Sequence, residues 1–257
     1  MIAPLQRQAP LAESGRVVVA AALAAVAMAV VAVLAEERSF VALGLQVLVV
    51  EFTAGKLAVP WTSAFRPLAG VRDLVGDLGR GAALACAAVV VGGVGAAALG
   101  VRVEVERVVG WGAIMAIVEL GLSAARDEVL LRGILRRGFA TIVPQPWLSL
   151  ALAGAGAAWA FGLGEAHAAV LLREGALALV AVELWRLADG AFMAIGFQLA
   201  FRFLEASYGG AQAKPSVLFV ETVVLVVAAL ALTRRREPED LVAAREASLG
   251  RLPTVLH

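Results

Sequence analysis

The sequence predicts an all-α fold, a polytopic transmembrane bundle of about eight helices. Three observations predict it. Of 257 residues, 61% are hydrophobic and 17% charged, against about 45–50% and roughly 25% in an ordinary soluble domain. Mean hydropathy is +0.87. The apolar residues also form long runs rather than a stripe repeating every 3.6 residues, so the predicted helices are apolar all round and need lipid about them.

Residues 1–16 read as a polar N-terminal segment. Val17–Ala35 is an uninterrupted apolar run of 19 residues, longer than the roughly 7–15-residue core of a signal peptide, and reads as an anchor. Phe40–Val59 is a second span, interrupted by Glu51 and Lys56, and Trp61–Arg80 a polar linker. Gly81–Val101 is a third span whose small residues (Gly92, Gly93, Gly95, Gly100) suit close helix packing in lipid. A fourth helix runs from about Val108 to Phe139. Trp147–Leu172 is the fifth span, after a Pro144-Gln145-Pro146 turn; Gly175–Leu187, Gly190–Leu204 and Ser216–Thr233 follow. One domain, the bundle 17–233, is thus predicted, with a charged tail over 234–257.

Basic residues orient such a bundle, because Lys and Arg concentrate on the cytoplasmic side. Arg66, Arg72, Arg80, Arg136, Arg137 and Arg234–Arg236 fall on one side of eight spans and put both termini in the cytoplasm. This predicts a multi-pass membrane protein, in the plasma membrane if the source is bacterial, with lipid as its surroundings. A net charge of +1 and no basic block interleaved with aromatics exclude nucleic acid as a partner. The single cysteine, Cys86, reads as a small core residue. With two histidines, His167 and His257, a three-histidine zinc site is impossible, and any metal would lean on carboxylates.

Ionisable groups in lipid cost about 2.5–3.5 kcal/mol each on insertion scales and tend to face the bundle interior. Here they are Glu51, Lys56, Glu119, Asp127, Glu128, Arg132, Glu165, His167, Glu183, Arg186, Asp189, Arg202 and Glu221. Glu183, Arg186 and Asp189 read as a cytoplasmic turn. Trp147, Trp159 and Trp185 read as interfacial anchors or packing. The densest cluster is Arg126-Asp127-Glu128-Val129-Leu130-Leu131-Arg132, where Glu128 and Arg132 share a helical face at i,i+4. Composition alone reads it as a charged membrane edge. Spacing offers another reading: Asp127 and His167 lie equally far on either side of Trp147, so a hairpin turning there brings them to one depth. An acidic pair facing an imidazole is a water-activating arrangement.

These residues resemble a known pattern. Asp127-Glu128-x-x-x-Arg132-Gly133 resembles the Glu-Glu-x-x-x-Arg-Gly signature of the CPBP family of intramembrane endopeptidases, with Asp for the first Glu. That family includes the CAAX prenyl endopeptidases of the Ras-converting type and bacterial relatives linked to bacteriocin immunity. Its second motif, Phe-x-x-x-His, is matched by Leu163–His167 with Leu for Phe; starting at Phe161 would put Glu165 in the histidine slot. Gly190–Phe203 is similar to the context of the third motif, His-x-x-x-Asn, with Gln198 for His and Arg202 for Asn. The resemblance covers about Val108–Leu204. It implies that Asp127, Glu128 and His167 activate water, that Arg132 orients them, and that Gln198 and Arg202 polarise the scissile carbonyl of a membrane-anchored peptide or protein substrate. Chemistry of the glutamate type or with a divalent metal such as zinc would fit it. The three altered positions motivate an alternative, a catalytically degenerate membrane binding or scaffold protein, and the buried charges a third, a transporter.

Overall fold

The computed structural model describes residues 5–34, 39–56, 71–101, 110–139, 143, 145–162, 167–188, 190–206 and 215–249, and every element among them is helical. In chain order these are α1 (Leu5–Leu34), α2 (Ser39–Lys56), α3 (Val71–Ala98), α4 (Trp111–Glu128), a π-helical stretch (Val129–Leu135), α5 (Arg136–Phe139), α6 (Gln145–Gly162), α7 (Ala168–Ala188), α8 (Phe192–Ala206) and α9 (Pro215–Leu249). The all-α class is as predicted.

Several boundaries move. The polar segment 1–16 is helical from Leu5, since Gln, Arg, Ala, Leu and Glu are good helix formers whatever their polarity. The second half of the expected linker Trp61–Arg80 is also helix, and α3 starts at Val71; with Gly76, Gly79 and two Asp in it, packing of Leu78 against Gly196 rather than propensity supports it. The fifth and sixth spans divide differently: α6 stops at Gly162 and α7 runs unbroken from Ala168 through Gly175. The last span continues as one helix to Leu249, into the charged tail.

Many large apolar side chains face outward, while several charged ones are buried within an otherwise apolar core. Leu23, Val90 and Phe219 are 65%, 62% and 67% exposed, whereas Asp127, Glu128 and Arg132 are 4%, 0% and 2% exposed. A water-soluble protein has the opposite distribution. Two stretches, Asp73–Ala98 and Pro215–Arg234, are long and apolar enough to cross a membrane; Gly15–Val31, Val41–Val50 and Trp147–Phe161 are shorter apolar helices. By contrast, α4 and α7 each carry four charged residues, and α8 has 15 residues.

Packing fixes the helix directions. Gly92 on α3 lies under Glu221 of α9, which stands 3.8 Å from Arg173 of α7. Arg173 also pairs with Glu205 of α8. The end of α3, the start of α7, the end of α8 and the start of α9 therefore share one end of the bundle. Toward the other end, Leu135 and Phe139 pack on Leu148, Leu152 and Val182.

Helices α3 and α8 approach backbone to backbone. A Cβ on Gly81 would lie 2.0 Å from the Met193 carbonyl oxygen, and one on Gly196 would lie 2.3 Å from that of Leu78. Missing side chains allow this contact, as small residues do at helix interfaces in lipid. Gly81→Ala or Gly196→Ala should destabilise the detergent-solubilised protein by about 1–3 kcal/mol, lowering its Tm by about 2–10 °C. Gly93→Ala, where a Cβ meets open space, should leave Tm unchanged in the same thermal scan.

Candidate functional site

Glu128 ends α4 and Arg132 lies in the π-helical stretch that follows. The two pair at 2.6 Å. π-Helical turns interrupt regular helices, often at functional sites; here the turn carries Leu131 and Arg132 to the wall of a cavity. Arg132 also donates to the Ala178 carbonyl of α7 at 2.9 Å, and the Gln198 amide of α8 donates to Glu128 Oε1 at 2.5 Å. One ion pair thus ties three helices together.

Asp127 is held differently. Its Oδ1 accepts from the Arg126 guanidinium at 2.8 Å and from the Trp159 indole N–H of α6 at 3.0 Å. Arg126 lies over the Trp159 ring, 5.4 Å from its centroid, and reaches Gln46 of α2 and Ser123. Asp127 Oδ2 faces Arg202 of α8, 3.9 Å from Nη2. Arg202 in turn pairs with Glu174 at 2.8 Å, and Glu174 with Arg173 at 3.0 Å.

These groups surround a cavity of about 160 Å³, walled by Asp127, Leu131, Arg132, Gly156, Trp159, Ala160, Arg173, Glu174, Leu177, Ala178, Gln198 and Arg202. It is wide enough for several waters or for an extended piece of backbone. Of the residues expected at the site, Asp127, Arg132, Gln198 and Arg202 line it. Glu128 lies behind the wall, fully enclosed, where it anchors Arg132 and Gln198 and does not reach the cavity. Gln198 turns its amide toward Glu128, so its contact is positional.

His167 does not join them. It is exposed, ahead of α7, with its carbonyl accepting from the Leu171 N–H. The hairpin expectation fails on its pivot: Asp127 faces Trp159, so the chain turns about position 143 and not at Trp147. Moving the pivot four residues back moves the facing residue eight back. Glu165 lies outside the described residues.

Other expectations also change. Trp159 is buried against the acid pair and is no interfacial anchor, and Trp185 is core; Trp147 is exposed. Glu183 is buried inside α7, accepting from Ser149 and pairing with Arg186 at 3.1 Å, so those two are no cytoplasmic turn. Cys86 is exposed on α3 rather than in the core. Arg173 and Glu174 were hidden by the expected break between spans, which assigned them to a loop; a charged pair directly after the run Ala168–Leu172 would have marked them had the helix been carried through.

A divalent metal does not fit this donor set. Each cavity carboxylate already faces guanidinium groups, and among the described residues no three His, Cys, Asp or Glu side chains group as ligands.

Breaking a buried ion pair from one side strands the other charge, at a cost of about 3–5 kcal/mol. Arg132→Met should therefore lower thermal stability strongly in detergent, and adding Glu128→Gln should recover much of the loss. Equal stability of the single and double variants would show that the pair does not hold the helices together.

No family model, curated protein or solved structure matches the chain.

Proposed function

We propose that this chain is a multi-pass integral membrane protein built on the CPBP plan, and that it hydrolyses a peptide bond of a membrane-associated substrate with Asp127 as the water-activating base. The observation that carries this reading is convergence. The first motif, Asp127-Glu128-x-x-x-Arg132, and the two altered positions of the third, Gln198 and Arg202, lie 70 positions apart at their point of contact and meet at one cavity. The apolar exterior and the paired interior charges support the multi-pass reading, with eight crossings formed by α1, α2, α3, α4 through α5, α6, α7, α8 and α9, and both termini in the cytoplasm.

Within this reading the parts divide by position. Asp127 Oδ1 is occupied by Arg126 and Trp159, which orient the carboxylate and leave Oδ2 toward the cavity. Oδ2 takes a proton from water as the oxygen attacks the scissile carbonyl. Arg202, on the far side of a 3.9 Å gap, neutralises the charge that develops on the carbonyl oxygen. The protonated Asp127 then gives its proton to the departing amine, as one carboxyl can act first as base and then as acid. Glu128 and Arg132 hold the cavity wall, and Gln198 positions Glu128.

A second reading, binding without turnover, is favoured by one observation: the only imidazole in the expected motifs stands outside the cavity. The two readings separate in proteoliposomes holding the purified protein and a membrane-tethered reporter peptide. Hydrolysis predicts cleavage that falls about 10²-fold or more in Asp127→Asn and in Arg202→Ala, with His167→Ala unchanged. Cross-linking of the peptide to the cavity without cleavage would establish the second reading, and absence of both would reject the two together.

A further inference from the structure

The cavity runs from mid-bundle toward one end. Asp127, Leu131, Arg132 and Ala178 wall it at the middle, and the last turns of α6 (Gly156, Trp159, Ala160), the first turns of α7 (Arg173, Glu174, Leu177) and the second half of α8 (Gln198, Arg202) wall it beyond. Exposure rises in the same direction. The Arg132 and Asp127 side chains are 1% and 5% exposed, whereas that of Arg202, one helical turn nearer the end of α8 than Gln198, is 28% exposed. The mouth therefore lies at the end of the bundle where α3 and α8 finish and α7 and α9 begin. His167 lies at that end, on the connection between two helices that both line the cavity.

The arginines gather at the opposite end. Arg72 and Arg80 lie in the first turns of α3, Arg136 and Arg137 open α5, Arg186 lies in the last turn of α7, and Arg234–Arg236 follow the crossing stretch of α9. At the mouth end, 35–38 contains Arg38, 99–110 contains Arg102 and Arg107, 163–167 contains no Lys or Arg, and 207–214 contains Lys214. Short loops rich in Lys and Arg stay on the cytoplasmic side, so this distribution has one orientation.

We propose that the cavity opens away from the cytoplasm, and that the peptide it engages is the extracytoplasmic juxtamembrane segment of a membrane-anchored polypeptide. This deepens the proposed function by giving its substrate a side. It also makes the connection at His167 part of the surface that an arriving substrate meets first, and it places the water for the reaction in the extracytoplasmic phase.

Cysteine accessibility in intact bacterial cells expressing the full chain tests it. In a Cys86→Ala background, three variants carry one cysteine each: His167→Cys at the mouth end, Ala160→Cys on the cavity wall, and Arg234→Cys at the arginine-rich end. A small membrane-impermeant thiol reagent should label His167→Cys and Ala160→Cys in intact cells, and Arg234→Cys only after permeabilisation. Labelling of Arg234→Cys in intact cells, or failure of either mouth-end variant to react from outside, would overturn the proposal. Peptide turnover plays no part in the readout, so a wrong side and a wrong reaction show up separately.

Discussion

A charge removed from water must be compensated inside the protein, and the whole interior is arranged around that requirement. Glu128 is the most enclosed ionised group, with Arg132 one turn away and nowhere else for its charge to go. An isolated carboxylate so placed would face a desolvation cost that its partner offsets only with good geometry and further hydrogen bonds. Those bonds come from α7 and α8, through Ala178 and Gln198. The pair therefore does more than neutralise itself: it sets the register of three of the four helices that wall the cavity. In the proposed bilayer setting the constraint is stronger, since lipid offers no water in place of a missing donor.

The second constraint is steric. Between α3 and α8, Gly81 and Gly196 let main chain approach main chain, and apolar side chains of α3, α7, α8 and α9 close around that contact in the largest core cluster. Close approach is available to helices in lipid because packing and polar contacts, rather than expulsion of apolar surface from water, hold them together. Charged pairing on one side of α8 and glycine contact on the other leave that helix little freedom. Gln198 and Arg202 are thereby presented to the cavity from a rigid support.

Fold class was legible because composition and run length are one-dimensional properties. So was the cluster Asp127–Arg132, where i,i+4 spacing and the cost of charge in lipid both point inward. The histidine was misplaced because sequence gives the length of a hairpin's arms only once its pivot is known. The pivot here is set by where Phe139 and Leu148 pack, which is a tertiary fact. Arg173 and Glu174 escaped for a related reason: a hydropathy minimum inside a helix looks like a connection until partners on other helices, here Arg202 and Glu205, are seen to compensate it. Trp159 was read from its usual location rather than from its indole N–H, which a buried carboxylate claims.

Gln198 and Arg202 act on the cavity through these contacts. A histidine at position 198 would bring a titratable ring beside Glu128; Gln198 brings a fixed dipole that donates a hydrogen bond there and never ionises. An asparagine at position 202 would be too short to reach Glu174 while facing Asp127. Arg202 spans both, linking two carboxylates that would otherwise repel one another across the cavity. Helix α8 thus brings to the cavity an amide and a positive charge, so within the proposed reaction proton transfer falls to Asp127 alone. Arg126 and Arg202 flank the carboxylate that moves the proton, and Arg202 is the cation placed to hold the peptide carbonyl meanwhile.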